Sequence, residues 1–406
     1  MNLKLFFFLP IILLTIAVVS GCYSQRELTD IAIVTATGLD KSEDGKYVQS
    51  FQIVDPENIS SGEQAKGGGQ GPPITVYSAK GNNVSEINQK ISKKVSRRLY
   101  FSHTQLLIIG EKIAREDGLD HILDAFERDN QYRSTMIVVI AKGSKAEDFI
   151  KTLTPIDKNS GRKIVKSLEI TEESSGENIK VNLKDVIDDL MSRGKEPLIS
   201  GVELIGSKEK GQKMNTLQKT EPESLIEVDG MALFKNGKLV DWISGKTCRG
   251  VSIILKKTKI FNVNLDWKGK KNVIAYQSIR SNTDVSAKFQ NNRPVVAIQI
   301  EIEGRISEAN VPIDLSNPKV LVKLEKKIEK KIQKEIYAAI NKAKKDKTDV
   351  FGFGELLYRS YPNKWKNMEH KWNDVYFPEV QTKVGVNVFI RQTGSKNKSH
   401  MTEMDS

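Results

Sequence analysis

The chain has 406 residues, too many for one ordinary core, and its 38% hydrophobic and 28% charged residues describe a soluble globular body rather than a disordered or membrane-embedded one. The net charge is +12, or +11 without Lys4, the one charged residue before Cys22. Such an excess favours anionic partners, nucleic acid or an acidic lipid surface, but it is spread along the chain and diluted by 51 acidic residues.

The N-terminus carries the sharpest local pattern. Lys4 forms a minimal positive region, and Leu5 to Val19 is an apolar run broken only by Pro10 and Thr15, the length of a signal-peptide core and short for a spanning helix. It ends in Val19-Ser20-Gly21-Cys22, which resembles the lipobox of bacterial lipoproteins. There a thiol takes a diacylglyceryl group and becomes residue one, and two or more acyl chains hold a protein on a bilayer stably. Residues 1–21 are therefore expected to be a cleaved signal peptide, with Cys22 lipidated. The other cysteine, Cys248, then has no disulfide partner and is expected to be a buried structural residue.

Beyond Cys22, Ile31 to Gly38 and Tyr47 to Val54 read as strands joined by a turn at Asp44-Gly45. Pro56 to Pro73, rich in Gly and Ser, reads as a loop. Val84, Ile87, Ile91 and Val95 recur at helical spacing, with Asn83 or Ser85 as N-cap. A strand over Gln105 to Ile109, a helix through Leu119 to Phe126, a strand over Met136 to Ile140 and a helix over Lys145 to Leu153 follow, an alternation that predicts helices packed on a mixed sheet. Thr154 to Lys180 reads as polar and turn-prone, and Leu183 to Met191 as a short helix. A β-rich module is expected over 198–266, with a hairpin at Asn236-Gly237 and a further strand over Val251 to Leu255. A third region, 267–394, has alternating strands at Val295 to Ile302 and Val384 to Ile390. Between them a long helix, Pro318 to Lys345, carries Leu324, Ile328, Ile332, Ile336 and Ile340. That four-residue repeat drifts about 40° per step around a 3.6-residue helix, so the stripe must meet two neighbours in succession or pack obliquely. The reading is α+β: mixed α/β domains over 22–197, 198–266 and 267–394, then a disordered tail over 395–406.

Residues able to do chemistry do not gather in this sequence. His103, His121, His370 and His400 lack metal-ligand spacing, so no metal or cofactor is expected. No Gly-x-Ser-x-Gly elbow occurs. Gly67 to Gly71 lacks the Lys-Ser/Thr of a phosphate loop, and Gly245-Lys246-Thr247 has Val240 where the first glycine belongs. The 11 lysines between Lys319 and Lys347 fit a solvated helix face, or a basic face resting on anionic headgroups or an acidic partner. Export and the lack of interleaved aromatics argue against nucleic acid. Eight aromatics between Phe351 and Phe377 are expected to be half core, the surplus marking a partner surface.

Several segments together resemble the Ger(x)C family, the C subunits of spore germinant receptors. They are Arg97-Arg-Leu-Tyr-Phe-Ser-His-Thr-Gln105 with the following Leu106 to Glu111, Cys22 followed by Arg26-Glu27-Leu28, and Gly230 to Phe234 with Leu239 to Trp242. Asp349-Val-Phe-Gly-Phe-Gly-Glu355, Tyr361-Pro-x-Lys364-Trp365 and Trp372 to Glu379 complete the set, in order along nearly the whole mature chain; Tyr23-Ser24 replaces the family's Trp-Asp. The resemblance implies three α+β domains in an elongated arrangement and no catalytic residues. It implies a lipoprotein on the outer face of the spore inner membrane, assembled with membrane-spanning A and B subunits in a receptor for small nutrients. Cys22 is the one position it carries over. Arg97, Arg98, Tyr100, His103, Phe351, Phe353, Glu355, Trp365 and Trp372 are candidates for partner contact. The alternatives are a solute-binding lipoprotein that captures the nutrient itself in a cleft between domains, and an exported hydrolase.

Overall fold

Strand-forming runs punctuated by turn residues open the computed structural model, which describes residues 30–55 and 71–392. Cys22, the segment 1–21, most of the loop 56–73 and the tail 395–406 lie outside the described residues. β1 (Ile31–Lys41) and β2 (Tyr47–Val54) pair antiparallel, and Gly45 takes the positive φ that their turn needs. β3 (Ile74–Gly81) continues the meander. α1 (Val84–Ile91) starts where the Asn83 side chain accepts from the Glu86 amide at 2.8 Å, so Asn83 rather than Ser85 is the cap. Then come β4 (Arg98–Tyr100), β5 (Leu106–Gly110), α2 (Glu111–Glu116), α3 (Asp120–Arg128), β6 (Ile137–Lys142), α4 (Ala146–Lys151), α5 (Ser160–Ser174), α6 (Leu183–Met191), β7 (Leu198–Gly206), β8 (Ser224–Lys235) and β9 (Lys238–Ile243).

All nine strands form one sheet in the order β3-β2-β1-β5-β6-β7-β8-β9, with β4 beside the start of β1. Its middle, β1, β5, β6 and β7, is parallel, and its flanks are antiparallel hairpins. Parallel strands are covered on both faces, and β5 (Leu-Leu-Ile-Ile-Gly) is buried throughout. On one face Leu106, Ile108 and Val139 meet Phe149 and Ile150 of α4 and Ile164 and Leu168 of α5. On the other, Leu107, Ile109, Val138 and Ile140 belong to a core shared with Leu123 and Phe126 of α3 and Val186 of α6.

The break expected at Leu198 is corrected on one point: β7, β8 and β9 extend the N-terminal sheet instead of building a separate module. Two local expectations also fail. The stretch expected to be turn-prone holds α5, whose fully buried large apolar residues are Ile164 and Leu168, with Val165 partly buried, too few to declare a helix. Val251 to Leu255, expected as a strand, lies mostly in α7 (Lys246–Ile254), buried from Cys248 to Ile254, and a short run that is buried all round has no period to reveal its type.

The second sheet follows the order β10 (Asn262–Trp267), β11 (Lys270–Gln290), β12 (Arg293–Ala309), β13 (Gln381–Gln392), the last pair parallel. β11 and β12 turn at Asn291-Asn292, both with positive φ, as a tight hairpin requires. α8 (Pro318–Asp346) lies across this sheet with Leu324, Ile328, Ile332, Ile336 and Ile340 all fully buried. The drift of its stripe is taken up as predicted by two neighbours, β13 and α7.

Polar side chains of α7 and α8 satisfy both edges of the sheet. On the β10 edge, the carbonyls of Asn262, Asn264 and Asp266 accept from Arg249 (3.1 Å), Lys331 and Lys327 (3.0 Å). On the β13 edge, the amides of Ile390, Val388 and Val384 donate to Glu325 (2.9 Å), Glu329 (3.3 Å) and the Tyr337 hydroxyl (3.4 Å). An open edge is a template for unwanted pairing, and here helix side chains occupy it. Part of the lysine excess of α8 is thus spent inside the chain.

Candidate functional site

The C-terminal segments that carry the family resemblance, Asp349 to Glu355, Tyr361 to Trp365 and Trp372 to Glu379, meet at one joint between the two sheets. Asp349 is fully buried, and its carboxylate accepts from the amides of Phe353 (3.1 Å) and Gly354 (2.8 Å) and from the Trp372 indole N–H (2.9 Å). It thereby caps α9 (Phe353–Ser360) from outside and ties that helix to the Trp372 segment. Burial pushes its pKa up to about 6 against the lowering by its donors. Gly352 provides the positive φ of the turn. At Gly354 a Cβ would come within 2.7 Å of the Gly194 carbonyl, so the C-terminal segment touches the chain that leads into β7.

Glu196 completes the joint. Its amide donates to the Asp349 carbonyl at 2.9 Å, and its carboxylate accepts from the Asn236 amide (3.0 Å) and the Asn373 side chain (2.6 Å). Burial foremost, and the nearby Asp349 charge, push its pKa up to about 7. Lys235 on the same hairpin pairs with Asp374 at 2.6 Å. A second buried link lies between α7 and α8, where Arg249 makes a two-pronged pair with Glu335 at 2.7 and 2.9 Å. The approach is close: a Cβ on Gly250 would lie 2.5 Å from the Glu335 carbonyl.

Of the candidate contact residues, Phe351, Phe353, Trp365 and Trp372 are corrected to core: all four are buried, with Phe351 stacked on Phe353 and tilted ring contacts linking Trp365 to Trp372 and both Phe353 and Trp372 to Phe377. Apolar rings packed at a joint leave no surface for a partner. Glu355 is half-buried and pairs with Arg359 one turn on. Arg97, Arg98, Tyr100 and His103 are exposed, and the rings of Tyr100 and His103 lie 5.6 Å apart. Cys22 lies outside the described residues. Cys248 is buried and free, and burial raises its thiol pKa far above the ordinary range, which makes it inert as a nucleophile. Local pattern gave no sign of Gly194 and Glu196; Asn236 and Asn373 lie in segments the sequence marked, but their contacts to Glu196 join parts of the chain far apart in sequence.

Among the described residues no three His, Cys, Asp or Glu gather as metal ligands would, and no helix is long and apolar enough to cross a membrane. Surface depressions of about 460 Å³ (beside His103, Arg133 and Arg162) and about 500 Å³ (beside Asp40, Lys80 and Glu147) are lined largely by polar groups and lack Trp, Tyr or Phe. Ligand sites are mostly apolar with a few placed polar groups, and these two are not.

Comparison with known proteins agrees across the whole described chain. Residues 24–204 match the spore germination protein N-terminal domain, and residues 229–394 match the spore germination B3/GerAC-like C-terminal domain. Spore germination protein KC of Bacillus subtilis (strain 168) is 40% identical over 388 residues, 95% of each chain. Spore germination protein A3 of the same strain is 27% identical over 93% of this chain and 95% of its own. The crystal structure of the GerBC protein superposes with a TM-score of 0.53 at 21% identity, covering 88% of this chain and 98% of that one, and shows the shared α+β fold. The chain belongs to the GerAC-like family of spore germination proteins.

Proposed function

We propose that this chain is the non-enzymatic, lipid-anchored C subunit of a nutrient germinant receptor. In this reading Cys22 carries the acyl chains, the folded body lies on the outer face of the spore inner membrane, and it works by contact with membrane-spanning A and B subunits. The observation that carries the proposal is the 40% identity to a spore germination protein along 95% of both chains, in a chain that carries the lipobox-like Val19-Ser20-Gly21-Cys22. The structure adds support of a different kind. Its buried carboxylates, Asp349 and Glu196, are occupied by amide and indole donors of the joint, and its buried thiol is protonated. Those are the uses of a scaffold.

The test is chemical and cellular at once. Mass spectrometry of the protein purified from spore membranes is expected to find an acylated Cys22 as the first residue, and gentle detergent extraction is expected to bring down two multi-spanning proteins with it. A bare thiol with the preceding residues retained would remove the anchor. Isolation of the chain alone under conditions that preserve the other receptor subunits would remove the assembly.

A further inference from the structure

We infer that the end of the nine-stranded sheet where β1, β5 and β6 begin is a docking face for the anionic headgroups of the bilayer. The inference rests on the lipid-anchor reading for the direction in which this end points, and on the structure for its chemistry.

The parallel strands put all their starting points on one side. The described chain begins at Asp30, directly before β1. Arg97 and Arg98 stand where β4 pairs with Ile31 to Ile33 at that start. Arg133 lies on the approach to β6, and Arg162 in the first turn of α5; both line the depression that also contains Ser102 to Gln105, the approach to β5. Among the described residues none of these four arginines forms an ion pair with a carboxylate. The opposite end of the same sheet behaves differently. There Lys41 pairs with Glu116 and Asp117, Lys80 with Asp44, Arg115 with Glu111, and Lys142 with Glu203 and Asp229. At the strand-start end Lys166 and Lys180 are paired with Asp157 and Glu169, but these four guanidinium groups meet no carboxylate and are open to an outside anion.

Two further observations select a bilayer as that anion. Cys22 precedes Asp30 by only eight residues, and eight extended residues reach at most about 29 Å, so this end of the body cannot leave the vicinity of an acylated Cys22. The same end also presents Ile156, 95% exposed in the link between α4 and α5, with Lys158 two residues on and Asp157 between them paired with Lys166. That link is held at this end by Asn159 on Thr35 and by Ser160 on Gln52. An apolar side chain amid cations suits a headgroup layer, where the cations meet phosphate and the aliphatic group enters the acyl boundary. Guanidinium groups suit phosphate because their fork of donors is always charged.

The test uses the mature full-length chain with Cys22→Ser, so that no lipid anchors it, and vesicles of phosphatidylcholine with or without phosphatidylglycerol. The unlipidated chain is expected to sediment with the anionic vesicles, much less at physiological than at low ionic strength, and not with neutral ones. Arg133→Glu with Arg162→Glu is expected to weaken this partition by at least about tenfold. Lys270→Glu with Lys271→Glu, an equal change of charge at an exposed turn of the other sheet, is expected to leave it within about twofold; circular dichroism verifies that both variants fold. Equal loss in both variants would reduce the effect to net charge and overturn the inference. So would indifference to anionic vesicles, which would leave the face to an acidic protein. Because acylation is read separately by mass spectrometry, an unacylated Cys22 beside intact vesicle binding would count against the anchor alone. An acylated Cys22 beside absent vesicle binding would count against the docking face alone.

Discussion

The joint between the two sheets and the arginine face at the strand starts use polar residues in opposite ways. At the joint and at the α7–α8 link the buried ionisable groups are matched: Asp349 by three N–H donors, Glu196 by two, Arg249 by Glu335 and a carbonyl. At the face, Arg97, Arg98, Arg133 and Arg162 are exposed and unmatched among the described residues. Burial of a polar group costs free energy unless a partner is supplied, so the joint can only serve the fold, whereas exposed cations cost nothing to hold and contribute to no core. Signature residues therefore divide into those that keep two sheets in one body and those free to touch something else.

That division makes predictions of graded size. Asp349→Ala strands two amides and an indole N–H in the interior, and urea unfolding is expected to show a loss of about 3–5 kcal/mol. Arg249→Met alone leaves Glu335 charged and unpaired, with an expected loss of about 3 kcal/mol, whereas Arg249→Met with Glu335→Leu is expected to recover most of it. A double variant as unstable as the single one would show that the Arg249 contact to the Asn262 carbonyl, not the ion pair, carries the link.

Glu196 gives a pH dependence. An acid whose folded pKa is raised binds its proton more tightly folded than unfolded, so its contribution favours the fold at low pH and is lost as pH rises from about 4.5 through about 7. Thermal unfolding is expected to report a decline of about 2 kcal/mol across that window, which Glu196→Gln flattens. The same decline in Glu196→Gln would assign it to Asp349, the other raised carboxyl of the joint. The smallest effect belongs to the face: Arg97→Glu with Arg98→Glu is expected to change stability by no more than about 0.5 kcal/mol while weakening association with anionic vesicles.

Legibility in the sequence followed the same line. α6 runs from Leu183 to Met191 as expected, the stripe of α8 was readable because it is buried on one side and carries a strong period, and the β8–β9 hairpin was readable from its Asn236-Gly237 turn. α5, α7 and β11 were not: α5 turns few large apolar residues to the core, α7 is buried all round, and the inward face of the distal half of β11 is mostly only partly buried. The aromatics from Phe351 to Phe377 could be recognised as a cluster at least half core, but which of them are interior depends on packing against Gly194 and the β7 approach, more than 150 residues away. Asp349 stood inside a recognisable motif, but its role as a remote helix cap required the fold.

Nutrient-triggered germination of spores whose only copy of this chain carries Cys22→Ala tests the central claim most directly. The account predicts that this response is lost while the folded protein is still made and no longer remains with the membrane. Germination at the normal rate with Cys22 absent would contradict it.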